Sequence, residues 1–245
     1  MNSVHNLLTC QGFETCAING GRWFDRHKAN SLPLRRTTLT DHQNIQQTYD
    51  RFSPLYDLIF KPYLTSGRER AVEILAPHRD SRVLEIGVGT GLSLEYYPKN
   101  VEVIGFDYSH GMLREARRKA NESSHCRVDL MQMDAQNLAF SSGSFDCIMA
   151  AYVLTVVPEP ERAVRELFRV ARPGARVVLI NYLRSRNKLI SIIEDFLHPF
   201  FSKIGLFTLD HNLPHLLEKY GAENIKIEPT SFLKTHHIIS FNVPA

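Results

Sequence analysis

A chain of 245 residues, 43% hydrophobic and 22% charged, has the composition of a soluble globular protein and room for one elaborated domain or barely two. Its formal net charge of +3 does not mark a nucleic-acid binder. No apolar run reaches the ~18 residues of a membrane span, and the opening Met1-Asn2-Ser3-Val4-His5-Asn6 lacks the charged and apolar regions of a signal peptide. The 4 cysteines, Cys10, Cys16, Cys126 and Cys147, show no metal spacing and suit a reducing cytosol. His211 and His215 have helical spacing, but Pro214 interrupts it, so no metal site is expected.

Residues 1–40 show no strong periodicity. They hold Gly12, Gly20, Gly21, Pro33 and scattered basic residues, and read as a loosely ordered extension. A basic arm touching anionic lipid is the sharper alternative. A folded domain is expected over 41–245. Ser53-Pro54 reads as a cap followed by proline at the first helical position, so helices are predicted within 41–64. Tyr49, Phe52 and Tyr56 fall at i, i+3 and i+7, on one face if the break at Pro54 is mild. Either that face packs on the domain, or its tyrosines close over a ligand. Residues 68–75 follow as an amphipathic helix.

The stretch Val83-Leu84-Glu85-Ile86-Gly87-Val88-Gly89-Thr90-Gly91 predicts a buried strand running into a loop that approaches a ligand with bare backbone. Its G-x-G-x-G spacing is not the G-x-G-x-x-G of a dinucleotide site, because Leu92 stands where the third glycine belongs. No Gly-Lys-Ser/Thr follows, which excludes a P-loop. Glu85 would repel a pyrophosphate and suits a ligand with a cationic end.

Residues 101–107 form a second buried strand ending in Asp107, placed to accept from a ribose diol. A helix over 109–121 carries a basic face. Residues 131–135 close a third strand with Asp134 and Ala135, and 145–150 form a fourth with Tyr152 just beyond. Asp146 opens that fourth strand at the end away from the ligand, where a capping role is expected. A helix over 161–171, a stop at Arg172-Pro173-Gly174 and a fifth strand over 175–181 follow. Residues 222–227 and 235–242 read as two final strands. Such alternation builds a parallel sheet with helices on both faces.

Between the fifth strand and this pair, Leu189, Ile192, Ile193, Phe196, Leu197, Phe200, Phe201 and Ile204 form one apolar helical stripe, bent or broken near Pro199. The stripe packs as a lid on the sheet edge, faces acyl chains or a membrane surface, or does both. Arg184, Arg186 and Lys188 alternate with neutral residues at the carboxyl end of the fifth strand. They form either a phosphate site or a solvated loop.

The ordered set Glu85-x-Gly87-x-Gly89-x-Gly91, Asp107, Asp134 and the strand before Tyr152 resembles the class I S-adenosylmethionine-dependent methyltransferases. That resemblance implies an α/β fold: a doubly wound, seven-stranded, mostly parallel, Rossmann-like sheet with N-terminal helices and an inserted amphipathic helical segment. Residues 41–64 and 183–218 then become helical caps. It implies S-adenosyl-L-methionine as cofactor and S-adenosyl-L-homocysteine as product. The glycine loop would hold the amino-acid tail, and Glu85 would lie near its cationic groups. Asp107 would hold the ribose, and Asp134 with Ala135 the adenine. Tyr108 and Met112 complete the cofactor-binding set.

A wider set resembles the bacterial phospholipid N-methyltransferases: Tyr49-Asp50-x-Phe52-x-Pro54-x-Tyr56-Asp57, Leu92-Ser93-Leu94, Tyr97-Pro98, Asp107-x-Ser109-x-x-Met112-Leu113, and Asn181 with the segment ending Phe200-Phe201-x-x-x-Gly205-Leu206. It implies methyl transfer to the headgroup amine of phosphatidylethanolamine at an anionic membrane surface, by a cytoplasmic protein peripheral to the inner face. Tyr49, Tyr56 and Tyr152 would be the catalytic residues, supplying aromatic faces to a cationic amine at about 0.5–2 kcal/mol each. Asn181, Arg184 and Arg186 would bind substrate. A quinone-ring C-methyltransferase, a small-molecule amine methyltransferase and a cofactor-binding regulator stay open as alternatives.

Overall fold

A computed structural model of the chain describes residues 5–8, 67–123, 125–182, 213–230 and 236–245. Eight strands make one sheet: β1 (His5–Leu8), β2 (Arg82–Ile86), β3 (Glu102–Asp107), β4 (Arg127–Gln132), β5 (Phe145–Ala151), β6 (Ala171–Tyr182), β7 (Glu223–Pro229) and β8 (His236–Asn242). Four α-helices are described, α1 (67–75), α2 (His110–Ser123), α3 (Pro160–Val170) and α4 (Leu213–Lys219), with a short 3-10 helix at Leu94–Tyr96.

The strand order is β1-β4-β3-β2-β5-β6-β8-β7. Strands β1 to β6 pair in parallel, and β8 runs antiparallel to both β6 and β7. The chain builds outward from β2 through β3 to β4, then returns to the other side of β2 with β5. That reversal opens a crevice at the carboxyl ends of β2, β3 and β5.

The central strands are apolar on both faces, as a sheet covered by helices on both sides requires. Leu84, Ile86, Ile148, Ala150, Val177 and Leu179 face one core, shared with Ala163, Val164 and Leu167 of α3 and Leu213 and Leu217 of α4. Val83, Val103, Met149, Val178 and Ile180 face the other, shared with Ala71, Val72 and Leu75 of α1 and Leu113 and Ala116 of α2. Helix α3 starts on Pro160, where the missing N–H costs nothing, and buries Ala163, Val164, Leu167 and Val170 along one stripe.

The seven expected strands are all present, and β1 extends the sheet by one. Residues 1–40, read as a loosely ordered extension, thus contribute a four-residue strand. It pairs with β4, which would otherwise present a row of unpaired backbone groups at the sheet edge. Four residues are too few to show a period. Helix α3 ends at Val170, and Arg172-Pro173-Gly174, read as its stop and turn before a strand at 175, lies inside β6 and bulges it. Phe145 pairs with Ala171 while Cys147 pairs with Arg176, and Gly174 takes the left-handed φ of 76° that the extra residues need. The predicted helices of 41–64 and the amphipathic stripe of 189–204 lie outside the described residues.

Asp146 ties the lower end of the sheet together, on the side opposite the crevice. Its carboxylate accepts from the backbone N–H of Arg82 at 2.9 Å and pairs with the Arg172 guanidinium. Asp146→Ala would strand the Arg82 N–H and is expected to lower stability by about 1–2 kcal/mol. A urea titration measures this, and cofactor affinity should stay within twofold of the unaltered protein.

Candidate functional site

The crevice is an open cleft with about 930 Å³ of free space. Its residues come from α1 (Arg68), the loop after β2 (Gly87, Gly89, Thr90), the end of β3 and start of α2 (Phe106, Asp107, Tyr108, Ser109, Met112), the loop after β4 (Met133, Asp134, Ala135, Gln136) and the exit of β5 (Ala151, Tyr152, Val153, Val156, Val157, Pro158).

The three glycines do three different things. Gly89, at φ 57°, faces open space: a Cβ there would meet no atom within 4 Å among the described residues. It is the bare backbone that a ligand can approach. Gly87, at φ 66°, is filled from the protein side, since a Cβ would come within 2.1 Å of Val153 Cγ2. Gly91, at φ 78°, packs on helix α2, where a Cβ would stand 3.1 Å from the Ala116 Cα, and it does not line the cleft.

Asp107 holds this loop in place. One carboxylate oxygen accepts the Gly89 N–H and the other the Ser109 N–H, both at 2.9 Å. Ser109 in turn caps α2, its Oγ accepting the Met112 N–H at 3.1 Å. Asp107 also lines the cleft, where a carboxylate suits the two hydroxyls of a ribose. Asp134 is likewise engaged, accepting the Gln136 N–H at 2.8 Å and its side-chain amide at 3.1 Å. Gln136 Oε1 accepts the Glu159 N–H at 2.8 Å, which links this loop to the far wall. The Gln132 amide donates to the Tyr108 carbonyl at 2.9 Å. Around these polar groups Phe106, Met112, Met133, Val156 and Val157 make an apolar slot for a purine.

Glu85 does not line the cleft. It is 1% exposed beneath the glycine loop, where Ser93 Oγ and Tyr97 OH (the latter at 3.0 Å) donate to its carboxylate. Burial pushes its pKa up, while those two hydrogen bonds and the charge of Arg68 oppose the shift. Glu85 thus ties the end of β2 to the turn that follows it.

Tyr152 lines the cleft with a left-handed φ of 64°, a costly conformation for an aromatic residue. One ring, a guanidinium and a backbone hydrogen bond hold it there. The Arg68 Cζ lies 5.4 Å from the Tyr152 ring centroid, and His236 meets that ring edge-on at 5.5 Å. Its N–H donates to the Ile180 carbonyl at 2.7 Å. Arg68 and His236 escaped the sequence reading. Arg68 is one of several charges on an amphipathic helix, and only its 5% exposure sets it apart.

The structure therefore gathers Gly87, Gly89, Asp107, Tyr108, Met112, Asp134, Ala135 and Tyr152 around one cleft. Asn181 is buried at the carboxyl end of β6, outside the lining, and both polar atoms of its amide lack a hydrogen-bond partner among the described residues. Tyr49, Tyr56, Arg184 and Arg186 lie outside the described residues. Cys147 is a free, buried thiol whose pKa burial raises to about 11, in keeping with a packing role. Among the described residues no cluster suits a metal ion, and no helix is long and apolar enough to cross a membrane.

A family model described as a methyltransferase domain matches residues 84–179, from β2 into β6. The phosphatidylethanolamine N-methyltransferase of Cereibacter sphaeroides is 41% identical over 163 residues, covering 66% of this chain and 79% of that protein. A demethylmenaquinone methyltransferase of Thermus thermophilus is 34% identical over 142 residues, covering 55% of this chain and 64% of its own length. In fold, the Haemonchus contortus phosphoethanolamine N-methyltransferase 2, solved with S-adenosyl-L-methionine, superposes with a TM-score of 0.69 at 16% identity, covering 87% of this chain and 62% of that one.

Two outcomes check this geometry. Asp107→Ala frees the Gly89 and Ser109 N–H groups and is expected to weaken S-adenosylhomocysteine binding by roughly tenfold or more in calorimetry. The second concerns pH. Burial holds the His236 pKa down to about 4 from 6.5, so the unfolded chain takes up a proton in that interval and the folded one does not. The stability this contributes is complete above pH 6.5 and is lost as pH falls toward 4. His236→Phe keeps a ring against Tyr152 and removes the titration, so the drop in urea midpoint between pH 7 and pH 5 should shrink.

Proposed function

Because the chain belongs to the class I S-adenosylmethionine-dependent methyltransferases, we propose that it methylates the headgroup amine of phosphatidylethanolamine. The observation that carries this reading is the 41% identity to a phosphatidylethanolamine N-methyltransferase over 66% of the chain. The cleft agrees with it. Bound S-adenosylmethionine supplies a methyl group already activated by its sulfonium.

The chain's own residues bind and align. Gly89 offers bare backbone to the amino-acid tail, and Arg68 brings a positive charge to the same wall. Asp107 receives the ribose hydroxyls, and Asp134 with Ala135 borders the adenine. Tyr152, clamped by Arg68 and His236, presents its ring at the exit of β5, where a cationic amine gains from an aromatic face. In this reading the headgroup ammonium would first lose a proton to solvent, its freed lone pair would then take the methyl as the C–S bond breaks toward sulfur, and the methylated ammonium would carry the positive charge away. Holding nitrogen, methyl carbon and sulfur in line is the main task left to the protein.

Tyr49 and Tyr56, in the cap 41–64, add aromatic faces in this reading. Arg184 and Arg186, in the cap 183–218, receive the lipid phosphate, and the apolar stripe of that segment rests on the membrane surface. The apolar slot and the 34% identity to a demethylmenaquinone methyltransferase favour a second reading, C-methylation of a quinone ring.

Purified protein with S-adenosylmethionine should convert phosphatidylethanolamine in anionic liposomes to mono-, di- or trimethylated lipid, read by mass spectrometry. Methylation of a demethylated quinone with no lipid product would overturn the lipid reading in favour of the second.

A further inference from the structure

The loop after β4 docks on helix α3 through side chains that reach backbone groups. Glu166 accepts the Leu138 N–H at 2.9 Å, and Arg169 donates to the Leu138 and Phe140 carbonyls at 2.8 and 2.6 Å. Glu166 and Arg169 pair with each other at 2.7 Å. These residues stand outside the cleft lining and brace the loop from behind.

One further contact of this kind lies in the cleft wall. Gln136 lines the cleft, is 4% exposed, and its Oε1 accepts the N–H of Glu159, the residue before α3, at 2.8 Å. A backbone N–H only donates, so the amide atom that meets it is the oxygen. That fixes which way the Gln136 amide is turned. Its Nε2 is left to Asp134, at 3.1 Å from Oδ1 and 3.3 Å from Oδ2. The Gln136 backbone N–H joins it on Oδ1 at 2.8 Å. Oδ1 thus carries two donors and Oδ2 one, which leaves Oδ2 acceptor capacity in reserve. Asp134 lines the cleft, and so do Val156, Val157 and Pro158, which run into Glu159. The Gln136 amide therefore spans the two sides of the apolar slot.

We propose that Gln136 is a positioning residue that sets the choice of purine: it fixes Asp134 as an acceptor, so that the slot selects a base with an exocyclic amine over one with a carbonyl in the same place. The proposal rests on the placement of adenine beside Asp134 given above and goes beyond it. A 6-amino purine offers an N–H where an ionised carboxylate only accepts. A 6-oxo purine sets an oxygen there and moves its nearest donor to N1. A carboxylate free to rotate can turn from that oxygen and follow the N1–H. One held by three contacts from Gln136 keeps its place, and the 6-oxo base is left with an unpaired edge.

The test is calorimetry on the full chain with S-adenosylhomocysteine and S-inosylhomocysteine, which differ only at the 6-position and the N1 proton that goes with it. The unaltered protein should prefer the adenosyl ligand by about a hundredfold. Gln136→Met, similar in length but without hydrogen-bonding nitrogen or oxygen, should cut that preference about tenfold, with affinity for the inosyl ligand held within about threefold. Gln136→Glu keeps an acceptor for the Glu159 N–H and loses the donor to Asp134, so it should lose the preference as the Met variant does. Melting temperatures report whether each variant is folded, and if Gln136→Met fails to fold, Gln136→Glu carries the comparison. A folded variant that keeps the full preference, whatever its affinity, would leave Gln136 only a brace to α3 and overturn the proposal. Equal binding of the two ligands by the unaltered protein would overturn the placement of adenine at Asp134, and this inference with it.

Discussion

The Asp107 carboxylate bridges two backbone N–H groups that belong to different elements. One oxygen holds Gly89 in the loop after β2, and the other holds Ser109 at the start of α2. A carboxylate that accepts backbone N–H bonds is worth more than a neutral acceptor in the same place. Much of the site follows from this one bridge. It keeps Gly89 turned to open space, it positions Ser109 to cap α2, and the cap sets Met112 against the slot. Asp107 also lines the cleft, so the group that shapes the loop is also the group a ribose meets.

Beneath the loop lies a second acid with a different task. Glu85 is 1% exposed, and burial raises its pKa against the opposing pull of the Ser93 and Tyr97 hydrogen bonds and the charge of Arg68. The arrangement spends buried hydrogen bonds on rigidity. It couples the end of β2, the turn after the glycine loop and the start of α1 into one unit below the ligand. Asp146 does a related job at the opposite end of the sheet, where Arg82 and Arg172 converge on it.

The parallel core was legible in the sequence because buried strands and glycine-rich turns leave local marks. Glu85, the glycines and Asp107 stood out by their positions along the strands, and Asp134 through the family resemblance. Their separate duties did not, because these depend on what faces each residue from afar. Nothing near Gly91 in sequence announces Ala116, and nothing near Gly87 announces Val153. Glu85 was expected beside the ligand, but it is buried beneath the loop, held by Ser93 and Tyr97. Arg68 and His236 looked like ordinary charged and polar residues until the fold set them on either side of Tyr152. Strand β1 is too short to show a period.

The contact between Gly87 and Val153 has a consequence for how such a site can drift. A Cβ at position 87 would run into a γ-methyl of Val153, and a left-handed φ would strain it besides. Gly87 therefore cannot change while Val153 keeps its branch. A side chain at 87 becomes tolerable only once position 153 has lost its branch, and a branch at 153 is safe only while 87 stays bare. Two positions far apart in the chain are bound into a single heritable choice. Among relatives that keep this loop, the size of the residue after Tyr152 should track the residue that opens the glycine motif.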